Sequence, residues 1–520
     1  MAKSQKKEQI RNKVLTSIPD SVPDLYPFAR LMDRHFVLHV GPTNSGKTHS
    51  AMEALRSSGS GVYLAPLRLL AYEQYERMNS DGFACNMVTG EEQLDVEDAR
   101  FCASTIEMLD IDQQYDCAVI DEAQMIADRD RGGAWSTAIL GVCAKTVHIC
   151  MAPQAESIVK KLIEKCGDTY EVRKYDRLTP LEYGSGEDTD VAHIQKGDAL
   201  IVFSRRSVHA LAAELQRKSF RCSVIYGKLP YDVRHREAEK FATGETDVLV
   251  ATDAIGMGMN LPIRRVLFFE SQKFDGNQQR FLNASEIQQI AGRAGRSGIY
   301  ERGYAYSFFA GRDRSRLLQR LEAVVPDLSH AVLELPRSLL CADCLLSEAI
   351  QAWSKIDTGE LYKKEQTERM VCLCKMLERF TADKEFIYRF LMIPFVEKDD
   401  DLLGIWLSMA LAENKGQILE YSKIKRWYPR ENVKAEDMQL LEKCYQICDL
   451  YYHYCRLFGH LSHAAPAVEA RAEISGIIRE ILDQQKLAQR KCKSCGKKLP
   501  WNYPYGYCEK CYHSNFEYYW

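Results

Sequence analysis

The sequence has no apolar run long enough to cross a bilayer. Such a helix needs about 18 consecutive apolar residues, and Lys145 interrupts the best candidate, residues 139–151. The first residues, MAKSQKKE, are charged and contain no apolar signal core and no arginine- and serine-rich transit segment. These absences predict a cytoplasmic protein with no membrane partner.

An excess of charge of one sign is also missing, because 69 Lys and Arg are opposed by 72 Asp and Glu. A net charge of −3 gives no global attraction to nucleic acid, so any such binding needs local basic surface and backbone contacts. The 18 cysteines do not indicate a disulfide scaffold in a chain of 520 residues. Several of them lie in apolar stretches, where free cysteine packs as a small hydrophobe: Cys85, Cys117, Cys143 and Cys150.

The most informative stretch is the glycine-rich loop GPTNSGKT at residues 41–48. It fits G-x-x-x-x-G-K-[ST], in which backbone N–H groups wrap nucleotide phosphates. A strand-like run at 35–40 precedes it and a helical pattern at 49–56 follows it, so free N–H groups and the helix dipole face one anion. We expect Lys47 to reach the β- and γ-phosphates and Thr48 to hold Mg²⁺; a chance match in a Gly/Ser-rich loop is the alternative. The candidate ATP ligands are Gly41, Thr43, Asn44, Ser45, Gly46, Lys47 and Thr48.

Two acids end a later apolar run. Residues 118–120 lead directly into Asp121 and Glu122, and ligands of open α/β sheets bind where strands end. We expect Asp121 to be the carboxylate on the Mg²⁺ side and Glu122 to orient or deprotonate the attacking water. The alternative is a helix whose first turn carries acids that favour its dipole; next to the phosphate loop, the catalytic interpretation is favoured.

A second α/β alternation, roughly 180–312, has no phosphate loop of its own but contains QIAGRAGR at residues 289–296. On a helix, Arg293 and Arg296 would share one face because they lie three residues apart. Two arginines so placed suit phosphate oxygens and would act as fingers on a γ-phosphoryl group. A solvated basic face would explain the arginines but not Gly292 and Gly295.

The end of the chain contains two cysteine pairs separated by twelve residues. The spacing predicts a structural, four-coordinate Zn²⁺ site, with a redox dithiol pair as the alternative; its ligands would be Cys492, Cys495, Cys508 and Cys511. Two other close pairs, Cys341/Cys344 and Cys372/Cys374, are expected to be packing cysteines.

Basic and aromatic residues surround the four cysteines, a composition typical of single-strand binders. The alternative is that the rings form the small core of a tiny domain. The residues are Lys486, Arg490, Lys491, Lys493, Lys497, Lys498, Trp501, Tyr503, Tyr505, Tyr507 and Tyr512.

Together these motifs carry a family resemblance. The order GPTNSGKT, APLR, DEAQ, FSRR, ATDAIGMGMN and QIAGRAGR resembles the superfamily-two helicases. Residues 26–30 (YPFAR), 177–180 (RLTP) and 226–230 (YGKLP) look like the Suv-three (suppressor-of-Var) family, the RNA helicases of the mitochondrial degradosome and their bacterial relatives. The cysteine tail is not part of that family's pattern. Gln124 stands where many relatives carry His.

The resemblance implies an α/β fold of two tandem RecA-like parallel-sheet domains followed by a helical domain, and the cysteine spacing adds the small C-terminal zinc module. The expected domains are a lead-in at 1–30, RecA-like domains at 31–174 and 175–312, the helical domain at 313–487 and the cysteine module at 488–520.

The resemblance also implies roles for single residues. Gln289, Arg293 and Arg296 would complete the ATP site from the second domain, and Asp253 and Gly256 would couple it to nucleic acid. Six residues fall in motifs that contact the nucleic-acid backbone in such helicases: Pro66, Arg68, Thr105, Ser204, Arg205 and Thr252.

The predicted function is therefore an ATP-dependent RNA helicase or translocase with ATP, Mg²⁺ and structural Zn²⁺, moving 3′-to-5′. The expected partners are RNA, with DNA or an RNA–DNA hybrid as further polymers and an exoribonuclease as a further protein partner, and the expected state is a monomer. Two alternatives stay open: a nucleic-acid-stimulated ATPase that remodels ribonucleoprotein without unwinding, and a non-catalytic nucleic-acid-binding scaffold.

Overall fold

A computed structural model describes residues 2–183, 193–256, 259, 261–276, 278–309, 311–364, 366–484, 491–500, 503 and 505–516. The chain forms two compact units, each assembled from three segments. Unit 1 contains residues 1–176, 326–425 and 446–470, and unit 2 contains 177–325, 426–445 and 471–520. The residues of the helical domain predicted at 313–487 are thus divided between the units, and that boundary stays a prediction.

The centre of unit 1 is an eight-stranded sheet of order β4-β3-β5-β2-β6-β7-β1-β8. All neighbouring strands are parallel except β3 and β4. Parallel sheets are covered on both faces and their strands are apolar throughout, as in β2, where all five residues are buried. The strands are β1 His35–Val40, β2 Gly61–Ala65, β3 Cys85–Val88, β4 Gln93–Leu94, β5 Phe101–Thr105, β6 Gln114–Ile120, β7 Cys143–Met151 and β8 Thr169–Lys174.

The centre of unit 2 is a six-stranded parallel sheet of order β11-β12-β10-β13-β16-β9. A two-stranded antiparallel hairpin, β14–β15, follows β13 in the chain. The strands of unit 2 are β9 Leu181–Tyr183, β10 Asp198–Ile201, β11 Cys222–Ile225, β12 Val248–Ala251, β13 Arg265–Phe268, β14 Gln272–Phe274, β15 Gln279–Phe281 and β16 Gly303–Ser307. A further short parallel pair in unit 1 is β17 Ala331–Val332 with β18 Tyr362–Lys363.

Helices alternate with the strands and then dominate the last third of the chain. Up to residue 322 they are α1 Ala2–Leu15, α2 Pro27–Arg30, α3 Lys47–Arg56, α4 Arg68–Ser80, α5 Gly132–Gly141, α6 Glu156–Cys166, α7 Arg205–Arg217, α8 Tyr231–Thr243, α9 Ala284–Ala291 and α10 Gly311–Glu322. After residue 340 they are α11 Leu346–Trp353, α12 Thr367–Leu377, α13 Lys384–Leu391, α14 Asp400–Glu413, α15 Tyr421–Ile424, α16 Met438–Leu457, α17 Ala465–Asp483 and α18 Glu509–Phe516.

These elements confirm the predicted fold class of two parallel-sheet RecA-like domains, a helical C-terminal region and a terminal cysteine cluster. The core of unit 1 shows how the first sheet positions the phosphate loop. Ala51 and Leu55 of α3 lie in one buried cluster with Tyr63 of β2 and Val119 of β6. Burial of these side chains fixes α3 against the sheet, and with it the loop that joins β1 to α3. In the described parts of the chain, we find no helix with the length and apolar character that a membrane span requires.

The predicted burial of the packing cysteines is confirmed for some of them and wrong for others. Cys85, Cys117, Cys143 and Cys150 are all buried, as expected. Of the two later pairs only Cys374 is buried, whereas Cys341 and Cys372 are exposed and Cys344 is half-buried. The expectation of core packing is therefore wrong for Cys341 and Cys372, because they lie on outward-facing positions of otherwise packed segments.

Candidate nucleotide and nucleic-acid sites

The phosphate loop of unit 1 has the backbone that close anion binding requires. Gly46 caps α3 at φ 81°, in the left-handed region that favours glycine. At Gly41 a Cβ would lie 2.7 Å from the carbonyl oxygen of Tyr175, so no larger residue fits there. The loop can thus bring its N–H groups to a phosphate at the start of α3.

The side chains of the loop also fit a bound triphosphate. Ser45 Oγ is buried and has no hydrogen-bond partner among the described residues. Lys47 is buried, and its ammonium group donates to the carbonyl oxygen of Pro42 at 3.1 Å. Thr48 Oγ1 lies 3.2 and 3.3 Å from the two carboxylate oxygens of Asp121. Adjacent ligands of an octahedral Mg²⁺ lie about 3 Å apart, since each is about 2.1 Å from the ion, so Thr48 and Asp121 fit one such ion.

Asp121 is held by a group of neutral donors. Its carboxylate accepts hydrogen bonds from the Tyr63 hydroxyl at 3.0 Å and from the Glu122 N–H at 2.9 Å, and its backbone oxygen accepts from Trp135 Nε1 at 2.9 Å. Burial, with the charge of Glu122 adding to it, raises the pKa of Asp121 from 3.8 to about 6, and Lys47 opposes the shift. A cation at this position would therefore relieve a buried negative charge.

Glu122 adopts a left-handed backbone at φ 52°, which turns the chain immediately after β6. Gln124 Nε2 donates to Glu122 Oε2, and Gln124 Oε1 accepts from the N–H of Ala152 at 3.1 Å. Gln124 therefore links Glu122 to the end of β7. This is a structural role for the residue that stands in place of His.

One set of hydrogen-bonded polar side chains in unit 1 was not predicted from the sequence. His39 shares a hydrogen bond with His148 at 2.9 Å and another with the Tyr175 hydroxyl at 2.8 Å. Burial lowers the pKa of each histidine to about 4, so both are neutral near pH 7. The signal was present in the polar residues His39 and Tyr63, which interrupt buried apolar strands and must find partners there.

In unit 2 the two candidate arginines do not lie on a helix, which corrects the expectation of a shared helical face. Helix α9 ends at Ala291, and Gly295 follows with φ 72°. A Cβ on Gly295 would lie 2.5 Å from the nitrogen of Gly303, so this close approach ends the helix and explains the glycine. Arg293 Nε donates to the carbonyl oxygen of Gly256 at 3.0 Å.

Arg293 thereby joins the two segments of unit 2 that the resemblance assigns to ATP. Gln289 lies on α9 with its side chain near Gly256. Arg296 follows at the next turn and is half-buried. The rest of the ATDAIGMGMN motif includes Met257, Gly258 and Asn260, which lie outside the described residues. The roles of Gln289, Arg293 and Arg296 in hydrolysis stay predictions.

The nucleic-acid candidates of unit 1 lie where adjacent strands end. Thr105 is the last residue of β5 and pairs in register with Ala65 of β2, which Pro66 follows. Arg68 opens α4 and forms salt bridges with Glu91 and, at 2.6 Å, with Glu92. These partners were not predicted, and they occupy the guanidinium group that was expected to bind phosphate.

The candidates of unit 2 are arranged in the same way. Ser204 follows β10, caps α7 and accepts a hydrogen bond from the N–H of Ser207 at 2.9 Å. Thr252 follows β12, which neighbours β10. Arg205 forms a salt bridge with the buried carboxylate of Glu442, which also accepts from the Tyr226 hydroxyl at 2.8 Å. The nucleic-acid role of all six candidates stays a prediction.

The four C-terminal cysteines converge. All four sulfur atoms lie within 4.8 Å of one another, and those of Cys495 and Cys508 are 3.7 Å apart. Four ligands placed tetrahedrally at Zn–S distances of about 2.3 Å would lie about 3.8 Å apart. The N–H of Cys508 donates to the sulfur of Cys492 at 3.2 Å, as expected for a partner that stabilises a thiolate. The cluster therefore fits a tetrahedral metal.

The aromatic residues of the tail divide between the two roles considered. Tyr503 and Tyr507 pack on the small cluster of Cys492, Leu499 and Cys508. Tyr505 is 56% exposed and lies 5.5 Å from the ring of Tyr512, which is 41% exposed. Lys486, Arg490 and Trp501 lie outside the described residues. The core explanation therefore accounts for two of the rings, and an exposed pair is left for contacts with a ligand.

Comparison with known proteins gives two family matches in tandem. Residues 23–175 match the DEXQ-box helicase domain of Suv3, and residues 187–298 match the helicase conserved C-terminal domain. The phosphate loop, Asp121, Glu122 and Gln124 lie in the first match, and Gln289, Arg293 and Arg296 in the second. The matches therefore include every residue predicted to serve ATP.

Individual proteins show the same similarity. The mitochondrial ATP-dependent RNA helicase SUV3L of Oryza sativa subsp. japonica is 35% identical over 88% of this chain and 64% of its own length. The mitochondrial DExH-box ATP-dependent RNA helicase DExH16 of Arabidopsis thaliana is 47% identical over 52% of this chain and 48% of its own. The chain thus spans less than two thirds of these relatives. Among solved structures, S. cerevisiae Dbp5 bound to RNA and ADP BeF3 aligns at 15% identity and a TM-score of 0.44, over 70% of this chain and 96% of that chain.

The relatives correct one expectation. Both are named mitochondrial, as are those from Candida albicans and Homo sapiens. The cytoplasmic location predicted from the charged N-terminal residues is therefore wrong, because the names point to the mitochondrion. The composition of the first residues alone did not carry this information.

Proposed function

We propose that this chain, which belongs to the Suv3 helicase family, uses ATP hydrolysis to move along single-stranded RNA and to unwind duplexes. The observation that carries the proposal is the phosphate loop of β1 and α3 facing the buried Asp121 through Thr48 at 3.2 Å. The residues that would bind ATP in unit 1, and those that would bind the RNA backbone in both units, lie at or just after strand ends, where α/β folds place their ligands.

In unit 1, Lys47 and the loop N–H groups would hold the phosphates, while Thr48 and Asp121 would hold Mg²⁺. A bound Mg²⁺ would supply positive charge that offsets the charge of the phosphate groups. Tyr63 and the Glu122 N–H orient the Asp121 carboxylate. Glu122, held by Gln124, would orient the attacking water and accept its proton at a carboxylate oxygen.

In unit 2, we propose that Arg296 stabilises charge on the γ-phosphoryl group. Arg293 would keep Gly256 and the end of α9 together, since it donates to the Gly256 carbonyl. An ATP that needs ligands from both units favours the state in which both can bind it, and loss of phosphate removes that preference. Alternate gripping of the polymer by the two units would then produce steps, which we propose run 3′-to-5′.

RNA would be held through its backbone by Pro66, Arg68 and Thr105 in unit 1 and by Ser204, Arg205 and Thr252 in unit 2. Backbone contacts carry little sequence information and are weakened by salt. Binding at Arg68 and Arg205 requires exchange of a carboxylate partner for a phosphate. The relatives' names support RNA as the polymer, and an exoribonuclease partner and a monomeric state are part of the same proposal.

The four cysteines would bind one structural Zn²⁺. The 3.7 Å separation of Cys495 and Cys508 supports metal ligation rather than a disulfide, in which the sulfurs would be about 2.05 Å apart. Four protein ligands would leave no open position, so the metal would stabilise the module and would take no part in hydrolysis.

The test is steady-state ATP hydrolysis with and without single-stranded RNA and DNA, together with displacement assays on 3′-tailed and 5′-tailed duplexes. We expect RNA to stimulate hydrolysis and the 3′-tailed duplex to be displaced. Lys47→Ala should abolish turnover and keep RNA binding, because it removes a phosphate ligand only. Lys145→Ala is the matched control, since its exposed ammonium pairs with Asp116 on the same sheet.

Each outcome separates the candidate functions. Stimulated hydrolysis without displacement of either duplex would favour a remodelling ATPase over a helicase. Wild-type turnover by Lys47→Ala would refute the assignment of the phosphate loop.

A further inference from the structure

Unit 2 contains a cavity of about 420 Å³ whose ligand neither the motifs nor the matches identify. Its walls come from the residues that follow three neighbouring strands, β10, β13 and β16, and from the β14–β15 hairpin. Its volume is within the range of small-ligand pockets, about 300–1,000 Å³. Ser204, one of the predicted RNA-backbone contacts, is part of the wall.

Residues of both hairpin strands line this cavity, and three of them share one face. Gln272 and Phe274 are two residues apart on β14, and Gln279 is the cross-strand partner of Phe274, so the three side chains share a face. Phe274 is 61% exposed. An aromatic ring that is exposed beside a cavity can serve as a platform on which a base stacks.

The opposite face of the hairpin is fastened to unit 2. Lys273 Nζ forms salt bridges with Asp253 at 2.9 Å and with Glu286 at 2.6 Å. Arg280 donates to both carboxylate oxygens of Glu286, at 2.7 and 2.8 Å. These contacts hold the hairpin and Phe274 in place. The hairpin would therefore lose little conformational freedom when a base stacks on Phe274.

The charges of the wall select which part of a nucleotide can enter. Glu270 accepts from the N–H of Phe203 and from the Ser207 hydroxyl, both at 2.6 Å, and each oxygen keeps a further lone pair. The only cation in the described wall, Lys273, is already paired with two acids. A carboxylate repels phosphate but accepts from the N–H groups that every nucleobase carries, so the cavity suits a base.

We propose that this cavity receives one unstacked nucleobase of the bound single strand, with Phe274 stacked on its face and Glu270 accepting from its N–H edge. The proposal rests on the proposed function, since it names a base-binding position within the RNA site of unit 2. Because stacking tolerates any base, it adds affinity without a strong sequence preference.

The experiment compares dissociation constants for a single-stranded oligoribonucleotide and for an abasic strand of the same length. Phe274→Ala should weaken binding of the oligoribonucleotide by roughly tenfold, since stacking on one base is worth about 1–3 kcal/mol. Binding of the abasic strand should be unchanged, as should the salt dependence, because phosphate contacts remain. Phe274→Trp should keep wild-type affinity, and Val324→Ala, which truncates another exposed apolar residue of unit 2, is the control.

Hydrolysis without RNA should be the same in all variants. Wild-type affinity of Phe274→Ala for the oligoribonucleotide, or equal losses for both strands, would overturn the base pocket and leave the proposed function standing. A wild-type protein that binds neither strand would instead refute the proposed function.

Discussion

Because the carboxylate of Asp121 is buried, we predict that the wild-type protein is less stable than its inactive variant Asp121→Asn. Burial and the neighbouring Glu122 raise the pKa of Asp121 from 3.8 to about 6. A folded-state pKa above the unfolded value means that the folded state binds the proton more tightly, so stability is present at low pH and is lost as the pH rises through about 6. A shift of about 2 pH units corresponds to about 3 kcal/mol.

Asp121→Asn removes this charge and keeps the size of the side chain. We expect the variant to be more stable than wild type by up to about 3 kcal/mol at about pH 7.5. At about pH 5 the advantage should fall to roughly half, because the folded-state carboxyl is then protonated while the unfolded-state carboxyl, with its ordinary pKa of 3.8, is still ionised. The assay is urea denaturation of the nucleotide-free protein, followed by tryptophan fluorescence at both pH values. The variant should hydrolyse no ATP, since Asp121 is the proposed Mg²⁺-side carboxylate.

Asp116→Asn provides the matched control. Asp116 lies near the start of β6, the strand that Asp121 follows, but it is only half-buried, and its hydrogen bond from Lys145 lowers its pKa. We expect no gain in stability from that change at either pH. An Asp121→Asn variant no more stable than wild type at the higher pH, or equally stabilised at both, would refute the reasoning.

Two further predictions concern parts outside the ATP site. Cys508→Ser should release the bound metal and unfold the C-terminal module, with ATP hydrolysis retained; metal analysis and turnover check this, and loss of both would mean that the tail supports the catalytic units. Glu442→Gln should lower the stability of unit 2 by about 1–3 kcal/mol, because it weakens the buried partner of Tyr226 and Arg205, and should tighten RNA binding by freeing Arg205. Urea denaturation and RNA titration measure both effects, and weaker RNA binding would contradict the proposed role of Arg205.

Local sequence patterns were sufficient to predict the phosphate loop and the elements on either side of it. The strand at His35–Val40, the glycines of the loop and the helix at Lys47–Arg56 follow from short-range apolar periodicity and turn chemistry. The spacing of the four cysteines likewise predicted a cluster that the structure brings together. Each of these features depends on residues close in the sequence.

The features that were predicted incorrectly from the sequence depend on contacts between residues far apart in the chain. The helical pattern of residues 284–296 ends at Ala291 because Gly295 packs against Gly303. Arg205 has its partner in Glu442, 237 residues away, so no local pattern indicates that the arginine is engaged. Tyr63 has its acceptor in Asp121, 58 residues away. The pairing of buried polar groups therefore needed the three-dimensional structure.

The central claim is that one ATP is served by residues of both units, and Arg296 tests it most directly. The measurement is the turnover of Arg296→Ala with saturating RNA, together with its affinity for ATP. We predict a loss of about 10³ or more in turnover, with Arg296→Lys similarly impaired because lysine lacks the planar fork. Turnover near the wild-type value in Arg296→Ala would contradict the claim and place Arg296 on the solvated surface.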